Sequence, residues 1–117
     1  MYTEIALNYL NDFSNKNLSE IESVLSESVA LRDWDAEAFG KRDVTKFMSG
    51  LFEKFESINV EVHNIFDCRN TVIVEMTLTL EERPSSPEVE NTVQLFVTDI
   101  ITFDESNKIE SIRAYLG

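Results

Sequence analysis

In the first half of the chain the apolar residues recur every three or four positions, and in the second half they alternate, so the pattern predicts helices first and strands afterwards. Ile5, Ala6, Tyr9, Leu10 and Phe13 mark one face of a first helix, with Tyr9 on the buried side. Asn17 followed by Glu20 resembles a capping box, and Leu18, Ile21, Val24 and Leu25 then make a short second helix paired with the first. From Ser28 to Trp34 the period changes: Val29, Leu31 and Asp33 share one side of an extended segment, so an acid ends an apolar row. Residues 35–40 show no period and are read as a loop. Val44, Phe47, Met48, Leu51 and Phe55 form the stripe of a third helix, expected to be the longest, with Gly50 inside it read as a point of close backbone packing.

Beyond Ser57 the alternation predicts strands over 58–66, 71–80, 89–103 and 108–116, with turns at 67–70, 83–88 (carrying Pro84 and Pro87) and 104–107. Strands joined by short turns imply an antiparallel, strongly curved meander. The expected fold is therefore α+β: one domain over residues 1–117, with three N-terminal helices covering one face of that curved antiparallel sheet. Helices cover the concave face incompletely, which leaves a natural pocket for a small apolar molecule. Ile73, Phe96 and Ile100 make the other face half apolar, and a second copy of the chain, a homodimer, is expected to bury it.

The stretch from Val93 to Phe103 carries the sharpest chemical signal. One phase reads Val93, Leu95, Val97, Asp99, Ile101 and Phe103, which leaves Asp99 as the single acid on an apolar face. Burying a bare carboxylate is costly, so such a group takes a partner, lines a cavity or keeps its proton. A bulge would instead turn Asp99 outward as an ordinary strand acid.

Composition narrows the alternatives. Twenty-two acids against ten bases give a net charge of −12, which repels nucleic acid and anionic membranes. No apolar run approaches the roughly 20 residues of a membrane helix. With one cysteine, Cys68, and no secretory pattern at the start, a cytoplasmic location is expected. Three glycines cannot build a phosphate-cradling loop, and His63 and Cys68, each alone of its kind, supply almost no material for a zinc site or a Cys/His nucleophilic pair. His63 falls on a polar strand phase and is read as a surface residue. The serines lack the G-x-S-x-G setting. Tyr9, Asp33 and Asp99 remain on predicted inner faces: a carboxylate base and two hydrogen-bond donors are the minimum for moving a proton beside a carbonyl, with no metal or cofactor required. The same groups suit a non-catalytic pocket, or internal hydrogen bonds in a dimerisation module.

The element order, together with the run Thr98-Asp99-Ile100-Ile101-Thr102-Phe103-Asp104-Glu105 and the segment Ile109-Glu110-Ser111-Ile112-Arg113-Ala114-Tyr115, resembles the nuclear transport factor 2-like (NTF2-like) superfamily, in particular its ketosteroid isomerase and SnoaL-like branch. That resemblance implies a cone-like fold and an isomerase- or cyclase-like activity without cofactor. It further implies Asp33 as general base and Tyr9 with a protonated Asp99 as oxyanion-hole donors, since a carboxylic acid held neutral by its site is that branch's device. The chain departs from the branch at Trp34, which replaces a proline. Leu25 and Met48 stand where some isomerases carry supporting tyrosines, and Leu116 replaces a pocket tryptophan.

Overall fold

Helical spacing places Ala6, Tyr9 and Leu10 on the buried side of α1 (Tyr2–Ser14), the first element of a computed structural model that describes residues 1–83 and 91–117. A short α2 (Leu18–Val24) follows, its Ile21 fully buried. The expected capping box is absent: Asn17 makes no side-chain cap bond, and its Nδ2 donates to Asp12 Oδ1 (3.4 Å) instead. α3 (Lys41–Lys54) is the longest helix among the described residues and buries Val44, Met48 and Phe52. Phe55, expected on that helix, starts a strand instead. Gly50 is exposed with no atom near the position of a Cβ, so it marks no close packing.

Six strands form one sheet: β1 (Leu25–Arg32), β2 (Glu37–Phe39), β3 (Phe55–Cys68), β4 (Thr71–Glu82), β5 (Thr92–Phe103) and β6 (Ile109–Leu116), in the order β2-β1-β6-β5-β4-β3. From β3 to β6 the sheet is the expected antiparallel meander. The sheet as a whole is mixed, however, because β1 lies parallel to β6. α3 and four strands separate those two in sequence, so no short turn forces them antiparallel. β2 lies inside the stretch read as a loop; at three residues it is too short to show a period.

The sheet is also not strongly curled. β2 and β3 stay as its two separate edges, and the central β4–β5 ladder runs from Thr71–Thr102 to Glu81–Thr92 without a register shift, while the β3–β4 and β5–β6 ladders carry shifts. Gly40, at φ 86°, turns the chain from β2 into α3 while its amide donates to the Val29 carbonyl (2.7 Å). The turn expected at 83–88 lies largely outside the described residues.

The core forms between the helices and the inner sheet face, where Val29, Val72, Val74, Ile101, Phe103 and Ile109 are fully buried. Tyr2 stacks on Phe103, with ring centroids 4.6 Å apart, and ties the start of α1 to the end of β5. Lys16 Nζ donates to the carbonyls of Phe55 (2.6 Å) and Glu56 (3.0 Å), fastening the α1–α2 turn to the start of β3. Among the described residues no helix is long and apolar enough to cross a membrane. On the outer face Phe66 and Phe96 are exposed. His63, at a register shift in β3, is also exposed and lies 2.6 Å from Thr77 Oγ1.

Candidate active site

One cavity of about 360 Å³ lies between the helices and the inner sheet face, and Tyr9, Asp33 and Asp99 all line it. Its walls are mainly apolar: Leu10, Phe13, Phe47, Met48 and Leu51 from the helices, and Leu31, Val60, Met76, Leu78, Leu95, Val97, Ile112 and Ala114 from the strands. Each site residue is placed by a different local rule. Tyr9 follows from the helical period of α1. Asp99 follows from strand alternation, since the β4–β5 ladder holds register through the Val74–Asp99 pair and its other neighbour is Ala114 on β6. No bulge turns it outward.

Asp33 lies one residue beyond β1, where the chain folds back on itself. Its amide donates to the Ala36 carbonyl (2.9 Å), and its Oδ1 accepts from the amides of Asp35 and Ala36, both at 2.7 Å. This Asx-type turn fixes the carboxyl group by one oxygen and leaves the other without a hydrogen-bond partner among the described residues.

Burial sets the electrostatics. Asp99 is only 6% exposed, and its carboxyl is pushed up to about 7, first by desolvation and then by the negative charge of Asp33. Tyr9 is 4% exposed; burial, and secondarily the Asp99 charge, raise its phenol above the ordinary tyrosine range, so it stays a neutral donor. Among the described residues neither the Tyr9 hydroxyl nor the Asp99 carboxyl has a protein hydrogen-bond partner, and no fully buried side-chain polar atom is left unsatisfied; both groups open on the cavity.

Sequence reasoning left the rim undefined. Arg32, Trp34, Asp35 and Ala36 on one side, and Lys54, Glu82 and Val93 on the other, also line the cavity. The segment after β1 has no period, which is why the directions of Arg32 and Asp35 were illegible. Of the four departures from the isomerase pattern, Trp34 and Met48 line the cavity; Leu25 is in the core and Leu116 is half-exposed. Among the described residues no group of three or more His, Cys, Asp or Glu side chains is placed to hold a metal ion.

The chain belongs to the SnoaL-like domain family, whose model matches residues 6–112, within the NTF2-like superfamily. Among curated proteins none matches it in sequence. Solved structures share the fold at low identity. A protein from Shewanella denitrificans assigned as a SnoaL-like polyketide cyclase superposes with a TM-score of 0.88 at 12% identity, over 99% of this chain and 90% of the other. A Mycobacterium tuberculosis LEH-like epoxide hydrolase gives 0.78 at 19%, over 93% and 77%. A protein from Catenulispora acidiphila with a ketosteroid isomerase-like fold, in complex with trimethylamine, gives 0.82 at 12%, over 96% and 84%. Likeness at this identity establishes the fold alone.

Proposed function

We propose that this chain catalyses cofactor-independent proton transfer on a small apolar carbonyl compound. The observation that carries the proposal is the convergence of Tyr9, Asp33 and Asp99, from α1, the end of β1 and β5, on one mainly apolar cavity. The substrate's carbonyl oxygen accepts hydrogen bonds from the Tyr9 hydroxyl and the protonated Asp99 carboxyl. The oxygen of Asp33 not held by the Asx turn takes a proton from the adjacent carbon. The C–H electron pair becomes the C–C π bond of an enolate, and the carbonyl oxygen gains the charge that the two donors stabilise. Where the substrate carries a β,γ double bond the enolate is a conjugated dienolate, and Asp33 returns the proton to the γ carbon: the carbonyl re-forms, the double bond moves to the α,β position, and the isomerisation is complete. In a ring closure the enolate carbon instead attacks a second carbonyl of the same molecule, and the proton passes to the new alkoxide.

A phenol or naphthol mimics the enolate oxygen. Wild type should bind 2-naphthol, and Asp99→Leu should weaken that binding at least about tenfold, or roughly 1.4 kcal/mol. Equal binding by both proteins would remove the oxyanion hole from the account.

A non-catalytic binding role has one observation in its favour, the trimethylamine bound by the Catenulispora protein of the same fold. Retained naphthol binding without any proton exchange would support that role. Homodimerisation through the outer sheet face is proposed on the exposure of Phe66, Phe96 and Tyr115 there, and sedimentation at twice the 13.5 kDa chain mass tests it. A cytoplasmic site of action is part of the same proposal.

A further inference from the structure

The charged lining of the cavity is unbalanced. Arg32 and Lys54 are its only cations among the described residues, and each faces an acid: Lys54 Nζ lies 3.7 Å from Glu82 Oε1, and Arg32 Nε lies 3.9 Å from Glu37 Oε1. Asp33 and Asp35 line the same cavity, and no cation of the described residues pairs with either; Asp99, inclined to keep its proton, adds little charge near pH 6. Arg32, whose side chain is 65% exposed, and Asp35 are both exposed, so water screens both charges and their effect is read at low salt. Carboxylates on low-dielectric walls focus a negative potential, and the net charge of −12 adds to it.

Two further observations point to a ligand. Asp99, 6% exposed and without a protein hydrogen-bond partner, is aimed into the space. Trp34, the chain's single tryptophan, lies between Asp33 and Asp35 in sequence, is 45% exposed and lines the cavity together with Phe13, Phe47 and Phe55. Aromatic faces beside carboxylates suit an alkylated ammonium, which gains cation–π attraction and loses little hydration.

We infer that the cavity takes a cationic amphiphile, a small apolar molecule ending in a tertiary or quaternary amine. The ammonium rests against Trp34 and Asp35 while the apolar body reaches inward towards Tyr9 and Asp99. A carboxylate ligand of the same size is rejected by the same field. The inference rests on the cavity invoked for proton transfer, but binding is read without turnover, so the two fail separately.

The test compares three matched probes by Trp34 fluorescence and calorimetry at low salt: (3-hydroxyphenyl)trimethylammonium, its neutral isostere 3-tert-butylphenol, and 3-hydroxybenzoate. A pH near 6 keeps each phenol protonated. The cation should bind at least about tenfold tighter than the neutral isostere and the benzoate weakest. The cation's advantage should shrink several-fold in Asp35→Asn and in moderate salt. Asp35 is exposed, so that variant is expected to fold. Equal or weaker binding of the cation, or an advantage unchanged in Asp35→Asn, overturns the inference while leaving proton transfer standing. Failure of all three probes to bind overturns both.

Discussion

Asp33 raises the carboxyl of Asp99 across the shared cavity: its negative charge is the second cause, after burial, of the shift of Asp99 to about 7. Two acids from separate elements are thereby driven into unlike roles, one held by backbone amides and one inclined to keep its proton. Asparagine at position 33 removes the charge but keeps an oxygen to accept from the Asp35 and Ala36 amides. In Asp33→Asn the titration of Asp99, followed by carbon NMR of labelled aspartate, should therefore move to lower pH. Because desolvation is the larger cause, the midpoint should still lie above the ordinary aspartate value of about 3.9. A midpoint that stays or rises would break the link between the two residues.

Stability should depend on pH through Asp99. Its folded value of about 7 exceeds the ordinary aspartate value of about 3.9, so between these values the folded chain binds the extra proton. Unfolding stability then falls as pH rises through that window: the contribution is fully present below the unfolded value and lost once pH passes the folded one. At about 1.36 kcal/mol per pKa unit the total is roughly 4 kcal/mol. Asp99→Asn removes the ionisation. Urea denaturation should show the variant gaining about 2.5 kcal/mol more, relative to wild type, at about pH 8 than at about pH 5. An offset that does not change with pH would mean that Asp99 ionises as freely in the folded chain as in the unfolded one.

Gly50 supplies a test of the helical layer. It sits inside α3, exposed, with nothing within 4 Å of a built Cβ. Alanine there meets no obstacle and lowers the backbone entropy of the unfolded chain, so Gly50→Ala should raise stability by about 0.5–1 kcal/mol. Thermal unfolding checks it, and a lowered midpoint would reveal packing that the structure does not contain.

Much of this arrangement was legible because two periods dominate the chain. Three-and-four spacing put Tyr9 inside, and strict alternation put Asp99 on the inner face. Val29 and Leu31 did the same for Asp33 by extension, although that residue lies just past the strand and is positioned by its own Asx turn. The parallel contact of β1 with β6 was not legible, because pairing between strands distant in sequence leaves no local signature. β2 was missed for its brevity. Asn17 and Gly50 each matched a local rule that the fold does not use: the Asn17 side chain is turned to Asp12, and no backbone approaches Gly50. The charged rim escaped notice because a segment without a period says nothing of side-chain direction.

Deuterium exchange into a simple cyclic enone, followed by NMR in heavy water, bears most directly on the proposed chemistry. Wild type should speed exchange at the carbon beside the carbonyl, and Asp33→Ala should lower that rate by at least about a hundredfold, the usual contribution of a positioned base. Exchange in Asp33→Ala as fast as in wild type would contradict the assignment of Asp33 as the base.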